Sequence, residues 1–107
     1  TEAMMVLDLL GTALNLHAEQ HVWVIGHTDA TPINRSLRRY YQSNWELSAA
    51  RAAAIMHVLV DQFSVSEQRF TVAGRGDSAP LGANDTPAGR EQNRRVEVII
   101  GPEERAW

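Results

Sequence analysis

Val22-Trp23-Val24-Ile25-Gly26-His27-Thr28-Asp29 is the stretch on which the fold turns. Val22 to Ile25 is short, rich in β-branched residues and carries an aromatic, the composition of a strand. Both of its faces are apolar, which suits a buried strand covered by helices. Asp29 follows directly on the strand's carboxyl end. In layered folds of strands and helices, ligand sites collect at such ends.

Working outward, Glu2 to Leu16 reads as a helix. Met5, Leu9, Leu10, Ala13 and Leu16 recur at three- and four-residue spacing and are expected to form its buried face. Gly11 weakens that helix by about 1 kcal/mol relative to alanine. Beyond Asp29 lies an irregular stretch, Thr28 to Ser43, broken by Pro32 and Asn34 and made basic by Arg35, Arg38 and Arg39. Loops of this length tend to be functional. Ser43-Asn44-Trp45-Glu46 is a capping box, with the Ser43 hydroxyl expected to accept from the Glu46 amide and Glu46 to reach back to Ser43. It opens a helix running to about Phe63. Leu47, Ile55 and Leu59 mark its stripe, and its alanine-rich middle allows close packing on a sheet.

Ser64 to Gln68 is a turn and Phe70 to Ala73 a second strand. A loop rich in glycine, proline, asparagine and aspartate runs from Gly74 to Pro87. Ala88 to Asn93 forms a short helix behind Pro87. Arg95 to Ile100 is a third strand, stopped by Gly101-Pro102, and the residues from Gly101 to Trp107 are a tail. Strands alternating with helices give an α/β (α+β) two-layer sandwich. A sheet of three strands is thin, so a fourth is expected upstream of Thr1 or from a partner.

Composition narrows the function. The 107 residues make one domain with one core. Ten cationic side chains, all arginine, face thirteen carboxylates, for a net charge of −3. That balance argues against a nucleic-acid partner, which selects for basic excess. The absence of cysteine excludes disulfides, thiolate metal sites and a thiol nucleophile. Apolar runs such as Met4 to Leu7 and Ile55 to Val60 fall far below the roughly 18 residues of a membrane span, so no membrane contact is expected of this chain. The start at Thr1 points to an excised domain whose targeting segment lies elsewhere.

Two positions break their local pattern. Arg51 lies between Leu47 and Ile55 at spacings of four and four, on the helix's apolar stripe. An arginine there either snorkels past the sheet edge or pairs with something. Asp29 at the strand end, facing Arg51, would make a charged pair in a pocket floored by the sheet. Spacing alone leaves two readings open. One is a structural ion pair or a turn-capping aspartate. The other is recognition of a small zwitterion, with the guanidinium holding a carboxylate through two hydrogen bonds and the aspartate holding an ammonium.

Gly26-His27-Thr28-Asp29, then Leu47-Ser48 followed by Arg51-Ala52, then Gly74-Arg75-Gly76, then Asn93-Arg94-Arg95-Val96-Glu97 form an ordered set spanning Val22 to Ile100. This set resembles the OmpA-like peptidoglycan-binding domain. The insertion ending in Ser43-Asn44-Trp45-Glu46-Leu47-Ser48 is most similar to the flagellar stator branch, MotB and PomB; wall-anchoring extensions of type VI secretion components carry a similar one. The resemblance implies a mixed sheet with helices on one face and no enzymatic activity. It implies a periplasmic module, dimeric in a stator, that binds the diaminopimelate of the peptidoglycan stem peptide without a cofactor. Asp29 matches the aspartate that pairs with the ligand's amino group and Arg51 the arginine that pairs with its carboxylate. Thr28, Leu47 and Arg94 match positions that line the same pocket. The family's first strand would lie before Thr1, as would a stator's transmembrane helix.

Competing constellations are weaker. His17, His21, His27 and His57 lack the paired spacing of zinc-binding helices, and no metal is expected. Ser48 has no Gly-x-Ser-x-Gly elbow and is expected to cap or pack. Gly74-Arg75-Gly76 lacks a dinucleotide fingerprint's third glycine. Arg35, Arg38 and Arg39 with Tyr40 and Tyr41 read as a solvated or partner-facing loop. Trp45 is expected to anchor packing near the pocket, and Trp23 to be core.

Overall fold

The computed structural model describes residues 2–102; Thr1 and the end of the expected tail, residues 103–107, lie outside the described residues. The elements are α1 (Glu2–Leu16), β1 (His21–Gly26), α2 (Asn44–Phe63), β2 (Phe70–Gly74), α3 (Pro87–Asn93) and β3 (Val96–Gly101). The strand order is β2-β1-β3, with β1 parallel to β2 and antiparallel to β3. The result is an α+β sandwich with a mixed sheet, as expected. Gly101 is not tail: it is the last residue of β3, opposite His21.

β1 is central and buried along nearly its whole length. Its alternation sends Val22 and Val24 toward the helices, into a core with Leu14, Ala52, Leu59 and Val65. Trp23 is buried too, on the opposite face, edge-on to His21 and across from Ile99.

The buried stripe of α2 passes through Leu47, Ser48, Ala52 and Leu59. Ser43 caps the helix, but its hydroxyl accepts from the Trp45 amide at 3.1 Å rather than from that of Glu46, and donates to the Glu46 carboxylate. The α2 N-terminus lies directly on the sheet because Gly26 and Gly74, paired in register, have no side chains there. A Cβ on Gly26 would stand 2.0 Å from the Ser48 carbonyl oxygen, and one on Gly74 2.5 Å from the Ala49 amide nitrogen. The Ser48 hydroxyl completes the junction, donating to the Trp45 carbonyl and accepting from the Gly76 amide.

The expected face of α1 is corrected. Met5, Leu9 and Leu16 are exposed, and the face turned inward is Leu7, Leu10, Gly11 and Leu14. Gly11 is a contact surface: a Cβ there would come within 2.7 Å of Phe63 Cγ. The far end of α1 is fastened by Arg69, whose guanidinium donates to the carbonyls of Leu14, His17 and Gln20 at 2.8–2.9 Å. Those carbonyls lie in the last turn of α1 and the turn beyond it, and one guanidinium supplies a donor to each.

Candidate functional site

The chain leaves β1 at Gly26 and is gripped at once on both sides. The His27 amide donates to the Arg95 carbonyl and the Thr28 amide to the Gly76 carbonyl, each at 2.8 Å. His27 is buried and its Nε2 donates to Glu97 at 2.9 Å; Glu97 in turn accepts from Arg95 Nε at 3.0 Å. Burial pushes the Glu97 carboxyl up, but these two partners outweigh it and hold its pKa below the ordinary glutamate value. Through that network the strand end, β3 and the loop before α3 become one rigid corner.

Asp29 projects from this corner into a pocket of about 170 Å³. Thr28, Asp29, Leu47, Arg51 and Arg94 all line it, so the five residues singled out in the sequence come together in space. The pairing among them differs from expectation. Asp29 Oδ2 accepts from Arg94 Nη1 at 2.6 Å, and Asp29 Oδ1 accepts from the Thr31 amide at 2.8 Å. Arg51 is not its partner: among the described residues the Arg51 side chain makes no ion pair or hydrogen bond. Burial raises the Asp29 carboxyl, yet the hydrogen bonds from Arg94 and Thr31 win and its pKa lies below the ordinary aspartate value.

Arg51 also does not sit on the buried stripe. The inward face of α2 rotates toward Ser48 and Ala52, which leaves Arg51 exposed on the flank, at the pocket rim. Arg94 arrives from the other side as the residue capping the C-terminus of α3.

The irregular stretch after Asp29 supplies the remaining wall, with Thr31, Pro32, Ile33, Asn34 and Leu37 lining the pocket. Asn44, at the first turn of α2, fastens it: its Nδ2 donates to the Thr31 carbonyl at 3.0 Å. Asn84 braces the same wall by accepting from the Ala30 amide. Asn84 in turn accepts from Asn93, which is fully buried and also holds the backbone of Leu81 and Gly82. Sequence reasoning missed Asn44, Asn84 and Asn93 as wall-builders; the only signal was Asn93 standing beside Arg94. Trp45 is half-exposed and packs over Gly76 rather than lining the pocket. Arg35, Arg38, Arg39 and Tyr40 are exposed.

Chemically, the pocket offers one unpaired guanidinium, a second guanidinium shared with a carboxylate, and apolar wall from Leu47, Ile33 and Leu37. It suits a small group bearing a carboxylate and an ammonium. Among the described residues no cluster of histidine, aspartate and glutamate could hold a metal ion. No described helix is long and apolar enough to cross a membrane.

Known proteins share this fold. Motility protein B of Bacillus subtilis (strain 168) is 37% identical over 93 residues, covering 87% of this chain and 34% of that protein. The C-terminal domain of Helicobacter pylori MotB superposes with a TM-score of 0.85 at 27% identity, covering 96% of this chain and 76% of the other. The cell wall anchor of the T6SS from Pseudomonas aeruginosa superposes at 0.79 with 38% identity, covering 95% and 68%. This chain spans about a third of the length of the curated relatives it matches. Residues 1–94 match the OmpA family, and with the fold and the ordered motifs agreeing, the chain belongs to it.

Proposed function

We propose that this domain is a non-catalytic peptidoglycan-binding module. It holds the diaminopimelate of the stem peptide and anchors its parent protein to the cell wall from the periplasm. The observation that carries the reading is Arg51. Asp29 already has structural work, capping a turn and pairing with Arg94. Arg51 has none, yet it lines the same pocket. An unpaired guanidinium beside a carboxylate and an apolar wall is a receptor for a carboxylate next to an ammonium, and its planar two-bond grip is one that lysine cannot reproduce. Asp29 retains lone pairs for the ammonium. No covalent step is required.

The parent is a flagellar stator subunit in this proposal, membrane-anchored and dimeric. Likeness to Motility protein B supports it. The 38% identity to the type VI secretion wall anchor favours a second reading of the parent, with the same wall-binding role. One small pocket gives modest affinity, so anchoring relies on several copies, where effective concentration multiplies weak contacts.

Retention on purified sacculi tests the site. Asp29→Ala and Arg51→Ala, each shown folded by circular dichroism, should both lose retention; undiminished binding by the two would refute the assignment. Calorimetry with a diaminopimelate stem peptide against its lysine analogue isolates Arg51. Lysine lacks the side-chain carboxylate, so equal affinities would contradict the guanidinium's role.

A further inference from the structure

The charged side chains lining the pocket are two guanidiniums, Arg51 and Arg94, and one carboxylate, Asp29. Asp29 faces Arg94 at 2.6 Å, yet Arg94 commits only Nη1 to it. The remaining nitrogens of that fork have no partner among the described residues, and the Arg94 side chain is 45% exposed. Arg51 is open as well. The pocket therefore carries one positive charge in surplus, presented as two donor groups flanking a carboxylate with lone pairs to spare.

A ligand with one ammonium and one carboxylate leaves one guanidinium without a counter-charge. A ligand with one ammonium and two carboxylates leaves none. Diaminopimelate exists in the wall in both states. Its side-chain end carries an ammonium and a carboxylate until cross-linking consumes the ammonium. Its main-chain carboxyl is free only where the stem stops at this residue; in a longer stem it is an amide.

Resting on the diaminopimelate reading, we propose that the pocket selects the residue in its doubly anionic form, at the end of an uncross-linked tripeptide stem. Arg51 takes one carboxylate and the free face of Arg94 takes the other. Asp29 keeps Arg94 in place and accepts from the ammonium. Arg94 is thus the specificity-determining residue, and the domain reads whether a stem has been trimmed.

The experiment is calorimetry on the wild-type chain with two synthetic ligands: L-Ala-γ-D-Glu-diaminopimelate, and the same tripeptide with its main-chain carboxyl as a carboxamide. The acid should bind about fivefold tighter, the scale of one partly exposed ion pair. The gap should shrink as salt is raised, because the extra contact is screened. Arg94→Gln should bind both ligands alike, and Arg94→Lys should keep part of the preference. Equal affinity of wild type for acid and amide overturns this proposal and leaves the binding site standing. A preference that survives in Arg94→Gln removes the role from Arg94. Binding of neither peptide overturns the diaminopimelate reading and this one with it.

Discussion

Asp29 is the residue with the most assigned to it, and the assignments have a measurable signature. Its carboxyl and that of Glu97 both titrate lower in the folded chain than in the unfolded one. Each therefore stabilises the fold fully above the ordinary carboxylate range, about pH 4. That stability is lost as pH falls through the lowered folded values. Asp29→Asn is expected to cost about 1–2 kcal/mol at pH 7 and less at pH 2, because the charged pair weakens as the carboxyl protonates. Urea midpoints at the two pH values check this; a deficit of the same size at both would remove the charged pair as its cause. The position of Asp29 could be read from the sequence because a strand end fixes where the next side chain emerges. Its partner could not. Helical spacing put Arg51 on the apolar stripe, but the inward face of α2 runs through Ser48 and Ala52, and the guanidinium that reaches Asp29 comes from 65 residues along the chain.

Among the elements, α2 and β1 were legible and the face of α1 was not. A capping serine and a run of β-branched residues are local signals. Apolar side chains surround α1 on nearly every side, so its pattern admits more than one stripe, and the packing partner chooses. The choice fell on Leu14, wholly buried, over Leu9, at 71% exposed. Leu14→Ala should cost about 2–5 kcal/mol. Leu9→Gln should stay within about 0.5 kcal/mol of wild type. Denaturant midpoints check both, and the reverse order would restore the stripe read from the sequence. Gly11 sharpens the same point. Alanine there gains about 1 kcal/mol in helix propensity. It also meets Cβ and Cγ of Phe63 at 2.8 and 2.7 Å, at the stiff base of the ring. Overpacking of that kind costs about 1–3 kcal/mol, so Gly11→Ala should destabilise the domain, as thermal melts would show.

At the scale of the molecule, the pocket is an assembly of distant segments. Thr28 to Leu37, Asn44 to Arg51 and Arg94 meet there. Asn93, outside the pocket, holds Asn84, and Asn84 holds Ala30. Asn93→Ala strips partners from two amides and a carbonyl in the 81–84 loop. It is expected to cost about 3 kcal/mol in stability and to weaken stem-peptide binding. Urea titration and calorimetry check this, and unchanged affinity would show that the loop does not brace the wall. Such side-chain-to-backbone bonds leave no periodicity behind, which is why the sequence disclosed five of the lining residues but not their scaffolding. The dispersed origin of the pocket has a further consequence. An occupant touching all of these segments can bind only the folded chain, so occupancy at a hundredfold excess over Kd adds about 2.7 kcal/mol to the fold. Release must then precede unfolding, and unfolding precedes digestion. Under the proposed function, copies seated on the wall would outlive loose ones wherever proteases patrol, and the population would be pruned toward those under attachment.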